Sequence, residues 1–143
     1  MDDLREWVLS GLADPVPWTD ESEHQFRIAE EATSGLARKY NEFGFAVAVD
    51  HCRNPKRMDA VVAEHLQGLN VVKVLLLPEL ETNLHRNAVR TDKPFDPLEL
   101  EETIRFTNDV YRTDVGEDWI AIDNTNLSVD ETLDRILTRF SGS

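Results

Sequence analysis

Short apolar runs that alternate with amphipathic helical patterns constrain the fold of this chain more than any other feature. The runs are FAVAVD at Phe45–Asp50, VVKVLLL at Val71–Leu77 and WIAID at Trp119–Asp123. Apolar, β-branched runs of this length are typical of strands buried on both faces of a parallel sheet. Because a helical pattern separates each run from the next, we expect right-handed crossovers and an α/β fold. The expected architecture is a three-layer parallel sheet with helices on both faces.

Start and stop signals divide the rest of the chain into six predicted helices. Asp20 and Glu23 have the spacing of a capping box, and Gly44 is a typical residue just beyond a helix end. Two further helices open with an N-cap residue followed by a first-turn proline. The predicted helices are Asp2–Leu12, residues 20–43, one opened by Asn54-Pro55, Glu79–Arg90, one from Asp96-Pro97 to about Arg112, and one capped by Ser128 and Glu131.

Length and charge limit the classes of function. The chain has 143 residues, and 15 Lys and Arg against 28 Asp and Glu give a net charge of −13. This length predicts one domain over residues 1–143. The acidic balance disfavours general binding to nucleic acid or to an anionic membrane surface. Since no signal-peptide pattern and no apolar run of membrane-spanning length is present, we expect a cytoplasmic protein.

Asp50 is the first candidate for chemistry because it follows a buried apolar run. Open α/β sheets bind ligands at the carboxyl ends of their strands, where an acid can hold a magnesium-bound water. The alternative is that Asp50 only caps the next turn. His51 and Cys52 are neighbours in an extended segment and point opposite ways, which disfavours a thiol–imidazole pair. Neither the single cysteine nor the spacing of the four histidines predicts a zinc site.

Arg86 and Arg90 are candidates for phosphate binding. They lie four residues apart on a predicted helix and would therefore share one face. Two guanidinium groups on one face can bind a phosphate through paired hydrogen bonds. A solvated face, with the arginines paired to Glu79, Glu81 or Asp92, is an equally good interpretation of the spacing.

The order of the motifs carries a resemblance to a known family. DDLREWVLSGL is followed by a long helix ending ARKYNEFG, then by FAVAVD, VVKVLLL, LHRNAVR and IAIDNTNLSVDETLDRIL. This order, over Asp2–Leu137, resembles the C-terminal three-quarters of the small P-loop kinases. They include zeta-toxin-like, chloramphenicol-phosphotransferase-like and polynucleotide-kinase-like ATPases. The resemblance implies an ATP-dependent phosphotransferase that acts on a hydroxyl of a small molecule or nucleotide.

The resemblance also assigns roles to individual residues. It places the acceptor hydroxyl beside Asp2 and Asp3, one of them the general base, with Arg5 as a neighbouring acceptor-site arginine. The acceptor pocket would lie at Ala13–Trp18 and the start of the long helix. Trp18, His24 and Gln25 can line this pocket there or simply pack.

The nucleotide side of the resemblance involves four further residues. Asp50 looks like the acid near the magnesium ion. Arg86 and Arg90 match the lid arginines that clamp the ATP phosphates. Asn124 lies where the chain of the family passes the adenine, mainly through backbone contacts.

The chain departs from the family in one large respect. None of its six glycines is followed by lysine, so it contains no GxxxxGK[ST] motif, the Walker A segment that cradles phosphates and helps to hold Mg²⁺. In the family that segment, with the first (central) and second strands, would precede Asp2. We therefore expect Mg²⁺ and ATP as cofactors only if such a segment is present upstream, and no MgATP binding by this chain alone.

The missing central strand predicts unpaired strand edges, which are costly. We expect Phe45–Asp50 to pair directly with Val71–Leu77 within a homodimer, and the alternative is that another chain fills the gap. Two other interpretations of function stay open. One is a non-catalytic binding or regulatory module derived from such a kinase. The other is an unrelated flavodoxin-like binding domain.

Overall fold

The computed structural model describes residues 2–91 and 96–141, and the chain divides into two compact units. Unit 1 is Met1–Arg53 with Arg57–Val71, and unit 2 is Asn54–Lys56 with Val72–Ser143. The side chains of residues 2, 3, 140 and 141 are outside this description. No helix in the described ranges is both long enough and apolar enough to cross a membrane.

Unit 1 is helical and is built around one long helix. Helix α1 is Asp2–Arg5, α2 is Asp20–Glu42 and α3 is Pro55–His65, whose first two residues belong to unit 2. Thr19, not Asp20, caps α2, because the side chains of Thr19 and Ser22 each accept a hydrogen bond from the backbone N–H of the other. The capping box was therefore predicted one residue too far towards the C-terminus. Gly44 follows the helix end with φ +83°, as its position predicted.

The buried face of α2 is more polar than its hydrophobic spacing indicated. Phe26, Ala29 and Ala37 are buried, but Leu36, Tyr40 and Phe43 are exposed. Polar residues complete the buried face: Ser22, Gln25, Glu30 and Ser34. Since buried polar groups need hydrogen-bond partners, this face requires polar groups from other segments of the unit.

The N-terminal helix is shorter than predicted. The helix ends at Arg5 and not at Leu12, and the backbone N–H of Val8 closes a turn onto the carbonyl of Arg5. Leu9 is 98% exposed, and Trp7 and Leu12 are exposed as well. The prediction failed because helical spacing stabilises a helix only when its apolar face packs against another element.

The first predicted strand does not form. Phe45–Asp50 has no regular secondary structure, and Phe45, Val47 and Val49 are 60%, 44% and 42% exposed. The expected pairing with Val71–Leu77 is therefore also wrong. An apolar run becomes a strand only when a neighbouring strand accepts its backbone hydrogen bonds, and the described residues supply none here.

Unit 2 contains a parallel sheet of two strands. Strand β1 is Lys73–Leu76 and β2 is Trp119–Ile122, with Lys73 opposite Trp119 and Leu76 opposite Ile122. The N–H of Leu77 continues the ladder to the carbonyl of Ile122 at 2.9 Å, and both side chains are buried. The second and third predicted strands are thus confirmed in shorter form, and their parallel pairing fits a βαβ crossover.

Three helices and a 3₁₀ turn complete the described part of unit 2. Asp96 caps the 3₁₀ turn Pro97–Leu100 by accepting from the N–H of Leu98. Ser128 and Glu131 form the predicted capping box. The helices are α4 at Leu80–Ala88, α5 at Glu101–Asp114 and α6 at Val129–Ser141.

The fold is therefore mixed α/β, mostly helical, with one small parallel sheet. The described residues do not form a three-layer parallel sheet. The difference comes from the segment at 45–50, because without it the described sheet has only two strands, which are too few to carry a layer of helices on each face.

Candidate functional site

The most buried polar cluster of unit 1 is centred on Glu30, whose side chain is 0% exposed. Oε2 of Glu30 accepts from Arg57 Nε at 2.9 Å and from Arg57 Nη2 at 2.5 Å. Oε1 lies 3.2 Å from His51 Nε2 and 3.3 Å from Arg53 Nε. One carboxylate of α2 therefore binds three side chains of the segment 51–57.

A second carboxylate of α2, Glu23, extends the cluster towards the surface. Both of its oxygens accept from Arg53 Nη2, at 2.8 and 3.0 Å, and Arg27 donates to it from the same helix at 2.8 Å. Burial raises the pKa of Glu23, but the hydrogen bonds from Arg27 and Arg53 outweigh that effect and hold this pKa below its usual value. Arg53 thus bridges two acids that lie two turns apart on α2.

Phe26 is the aromatic centre of the same region. Trp18 stacks on it with ring centroids 4.9 Å apart, and His51 lies at 5.9 Å. The guanidinium of Arg5 lies over the ring at 3.9 Å, and that of Arg53 is 4.8 Å from the ring of Trp18. Contact of guanidinium groups with aromatic faces is favourable, and it helps to hold both arginines beside these rings.

Two buried nitrogen atoms around Phe26 lack hydrogen-bond partners among the described residues. They are Nε of Arg5 and Nδ1 of His51. Arg5 uses Nη2 to donate to the carbonyl of Ala13 at 2.6 Å, and the His51 side chain is 3% exposed. Buried polar atoms are usually satisfied, so each of these two nitrogen atoms calls for an explanation.

The predicted acceptor-pocket residues separate into two groups. Arg5 and Trp18 come together on Phe26, as described above. Gln25 is buried but is used structurally, because it donates to the carbonyl of Gly11 and accepts from the N–H of Ala13. His24 is exposed on α2. The side chains of Asp2 and Asp3, the predicted general bases, lie outside the described residues.

The predicted nucleotide-side residues belong to unit 2, apart from Asp50. Arg86 on α4 donates to the carbonyls of Asn124 and Thr125 at 2.9 and 3.3 Å, so the structure brings Arg86 and Asn124 together. Oδ1 of Asn124 is buried without a partner among the described residues. Arg90 lies beyond the end of α4 and is exposed, so the two arginines do not share a helix face as predicted.

Asp50 does not lie at the end of a strand, which was the reason to predict a metal site there. It is exposed in the irregular segment 45–50. No group of three or more His, Cys, Asp or Glu side chains within residues 2–91 and 96–141 is arranged to hold a metal ion. The described residues therefore give no metal centre to which Asp50 belongs.

Glu30, Arg53 and Arg57 were not among the residues predicted from the sequence. One signal could have indicated Glu30, since it lies four residues after Phe26 and thus on the buried face of α2. A charge at such a position needs a partner, and the basic residues of RNPKR, at 53–57, are the nearest cationic group after the helix. Comparison with known protein families, with curated proteins and with solved structures finds no match to this chain.

Proposed function

We propose that this chain is a P-loop kinase-like domain whose unit 1 binds the phosphoryl acceptor. The observation that carries the proposal is the convergence of Arg5 and Trp18 on Phe26. The resemblance assigned both residues to the acceptor side, although they lie 13 positions apart in the sequence. An arginine and an aromatic ring around one centre suit a small molecule or nucleotide that carries an anionic group.

The residues present do not fit MgATP. The Arg86 guanidinium donates to backbone carbonyls, and Asp50 belongs to no metal-holding group of the described residues. The 143 residues also contain no GxxxxGK[ST] motif, the segment that would cradle the phosphates. Phosphotransfer by this domain therefore requires a Walker A segment that these residues do not supply, and no catalytic step is assigned to them.

The DNA upstream of the Met1 codon tests the proposal. An in-frame GxxxxGK[ST] segment is the expected result, and a closely spaced in-frame stop codon would contradict the phosphotransferase. The extended and the 143-residue chains are then compared in thermal-shift titrations with MgATP. We expect saturable stabilisation of the extended chain only, with Lys→Ala in the added motif as the control. Saturable stabilisation of the 143-residue chain would show that the nucleotide site has been misassigned.

A second candidate function is a non-catalytic module that forms a homodimer through residues 45–50. Phe45, Val47 and Val49 are exposed and alternate along the chain, so an extended strand would present them on one face. Residues 46–49 make no backbone–backbone hydrogen bond to the described residues. Antiparallel pairing of this segment with the same segment of a second copy would give one backbone edge of each strand its hydrogen bonds and place the two apolar rows side by side on one face.

Light scattering of two matched variants tests the dimer. Val47→Lys places a charge in the apolar row, whereas Ala48→Lys places it on the opposite face of the same segment. We expect the wild type and Ala48→Lys to be dimers and Val47→Lys to be a monomer. A wild-type monomer at high protein concentration would exclude this function.

A further inference from the structure

The side chain of His51 has one ring nitrogen whose role the packing of unit 1 does not explain. Nε2 lies 3.2 Å from Glu30 Oε1, whereas Nδ1 is buried and has no hydrogen-bond partner among the described residues. The ring is 3% exposed and stacks near Phe26. If His51 served only to pair with Glu30, burying Nδ1 without a hydrogen-bond partner would cost free energy and bring no benefit.

The network around Glu30 assigns the tautomer of His51. Glu30 also pairs with Arg53 and Arg57, and a carboxylate oxygen can only accept a hydrogen bond. Nε2 must therefore carry the proton that is donated to Glu30. Burial, and to a smaller degree the charge of Arg53, lowers the pKa of His51 below 6.5 against the opposing effect of Glu30. In the neutral ring Nδ1 is then a buried acceptor without a donor among the described residues.

Arg5 provides the complementary group beside the same aromatic ring. Its guanidinium covers Phe26 at 3.9 Å, and its Nε is a buried N–H donor without a partner. Arg5 forms no ion pair with a described carboxylate, whereas Arg53 and Arg57 are neutralised by Glu23 and Glu30. Among the described residues, Arg5 is therefore a guanidinium without a paired carboxylate, in a chain with a net charge of −13. An anion is the ligand that such a group attracts.

We propose that His51 and Arg5 form a binding site for a small hydroxylated anion in unit 1. The ligand hydroxyl donates to Nδ1 of His51, and its phosphate or carboxylate group accepts from Arg5. Glu30 is the positioning residue, because its hydrogen bond to Nε2 fixes the tautomer that leaves Nδ1 free to accept. Trp18, which is half exposed, is the wall of the site that meets solvent.

This site deepens the proposed function, because the hydroxyl held by His51 would be the phosphoryl acceptor. Only this role of the hydroxyl rests on the proposed function; binding of the anion does not. Binding of the hydroxylated anion needs neither ATP nor a Walker A segment. A binding experiment with the 143-residue chain can therefore fail or succeed independently of the phosphotransferase proposal.

Three probes separate the two halves of the site: glycerol supplies hydroxyls, inorganic phosphate supplies the anion, and glycerol 3-phosphate supplies both. Affinities are measured by calorimetry, and the ¹⁵N shifts of the histidine rings are followed by NMR on the labelled chain near pH 7. We expect neutral His51 with the proton on Nε2. Glycerol 3-phosphate should bind more tightly than either other probe and should shift Nδ1 of His51.

Three variants identify the residues responsible. His51→Gln places an amide where Nε2 donates to Glu30 but removes the Nδ1 acceptor, so the fold should be kept. This variant should weaken the binding of glycerol 3-phosphate about three- to tenfold, which is the effect of one hydrogen bond, and leave the affinity for inorganic phosphate unchanged. Arg5→Lys should weaken the binding of both anionic probes, inorganic phosphate and glycerol 3-phosphate. His85→Gln, an exposed histidine of unit 2, is the control and should change neither.

Each of three results would overturn the proposal. The first is a ring proton on Nδ1 of His51, which would make that nitrogen a donor. The second is equal affinity of wild type and His51→Gln for glycerol 3-phosphate. The third is absence of binding of all three probes to the wild type, which would leave the two buried nitrogens as a feature of packing alone.

Discussion

Different kinds of interaction stabilise the interior of each of the two units of this chain. Unit 1 buries charge, because Glu30 inside the helical core pairs with side chains that lie 21 to 27 residues further along the chain. Unit 2 instead contains backbone pairing between β1 and β2, and an ion pair such as Glu101–Arg105 lies on its surface within one helix. We therefore expect a buried ion pair such as Glu30–Arg57 to contribute more to stability than the surface pair Glu101–Arg105, because burial removes the screening by water.

The largest expected effect is the loss of the buried carboxylate. Glu30→Gln removes the buried carboxylate that Arg53 and Arg57 share, although Glu23 still pairs with Arg53. Breaking a buried ion pair costs about 3–5 kcal/mol of unfolding free energy. Glu101→Gln makes the same chemical change on the surface of unit 2, where we expect a loss of about 0.5 kcal/mol or less. Urea denaturation of both variants measures the difference. Equal losses would show that the contrast between the two units is wrong.

A smaller effect is expected from the sheet of unit 2. Ile122 is buried at the end of β2, and Ile122→Val removes one methylene group, which costs about 0.5–1.5 kcal/mol. Ile120 is only half-buried in the same strand, so Ile120→Val is a matched control with a smaller expected loss. The midpoints of chemical denaturation give both values. If Ile120→Val were the more destabilising variant, the buried side of the sheet would be misidentified.

The smallest expected effect is a pH dependence of the free energy of unfolding, which comes from His51 in unit 1. The pKa of His51 is lowered by burial, so between 6.5 and its folded value the unfolded chain binds the proton and the folded chain does not. Stability therefore falls as the pH falls through this window and is unaffected by His51 above it. Between about pH 7.5 and about pH 5.5, the wild type should lose more unfolding free energy than His51→Gln. Equal losses would mean that His51 titrates at its usual pKa.

Signals confined to a few neighbouring residues were interpreted correctly. The caps at Asp96 and at Ser128 with Glu131, and the helix end at Gly44, form where they were predicted. Each depends on side chains and dihedral angles within about four residues, so the sequence contains all the information that is needed. The Thr19 cap was misplaced by one residue only, since Thr19 and Ser22 compete with Asp20 and Glu23 for the same role.

Pairing between distant segments could not be derived in this way. Phe45–Asp50 and Val71–Leu77 are similar apolar runs, yet only the second contributes a strand, because β2 accepts its backbone hydrogen bonds. The candidate site has the same limitation. The sequence indicated Arg5 and Trp18 through a resemblance, but the cluster of Glu30, His51 and Arg53 results from side chains that meet only in the folded unit.

The sequence by itself determined the caps at Asp96 and Ser128, the helix end at Gly44 and the acidic balance of the chain. The tertiary structure alone decided which charges are buried, which ring nitrogen of His51 is directed at Glu30, and which apolar run is left exposed. The physical reason is range. Capping and helix propensity act over one turn of chain, whereas the cost of burying a charge or leaving a strand edge unpaired depends on every segment that is packed nearby.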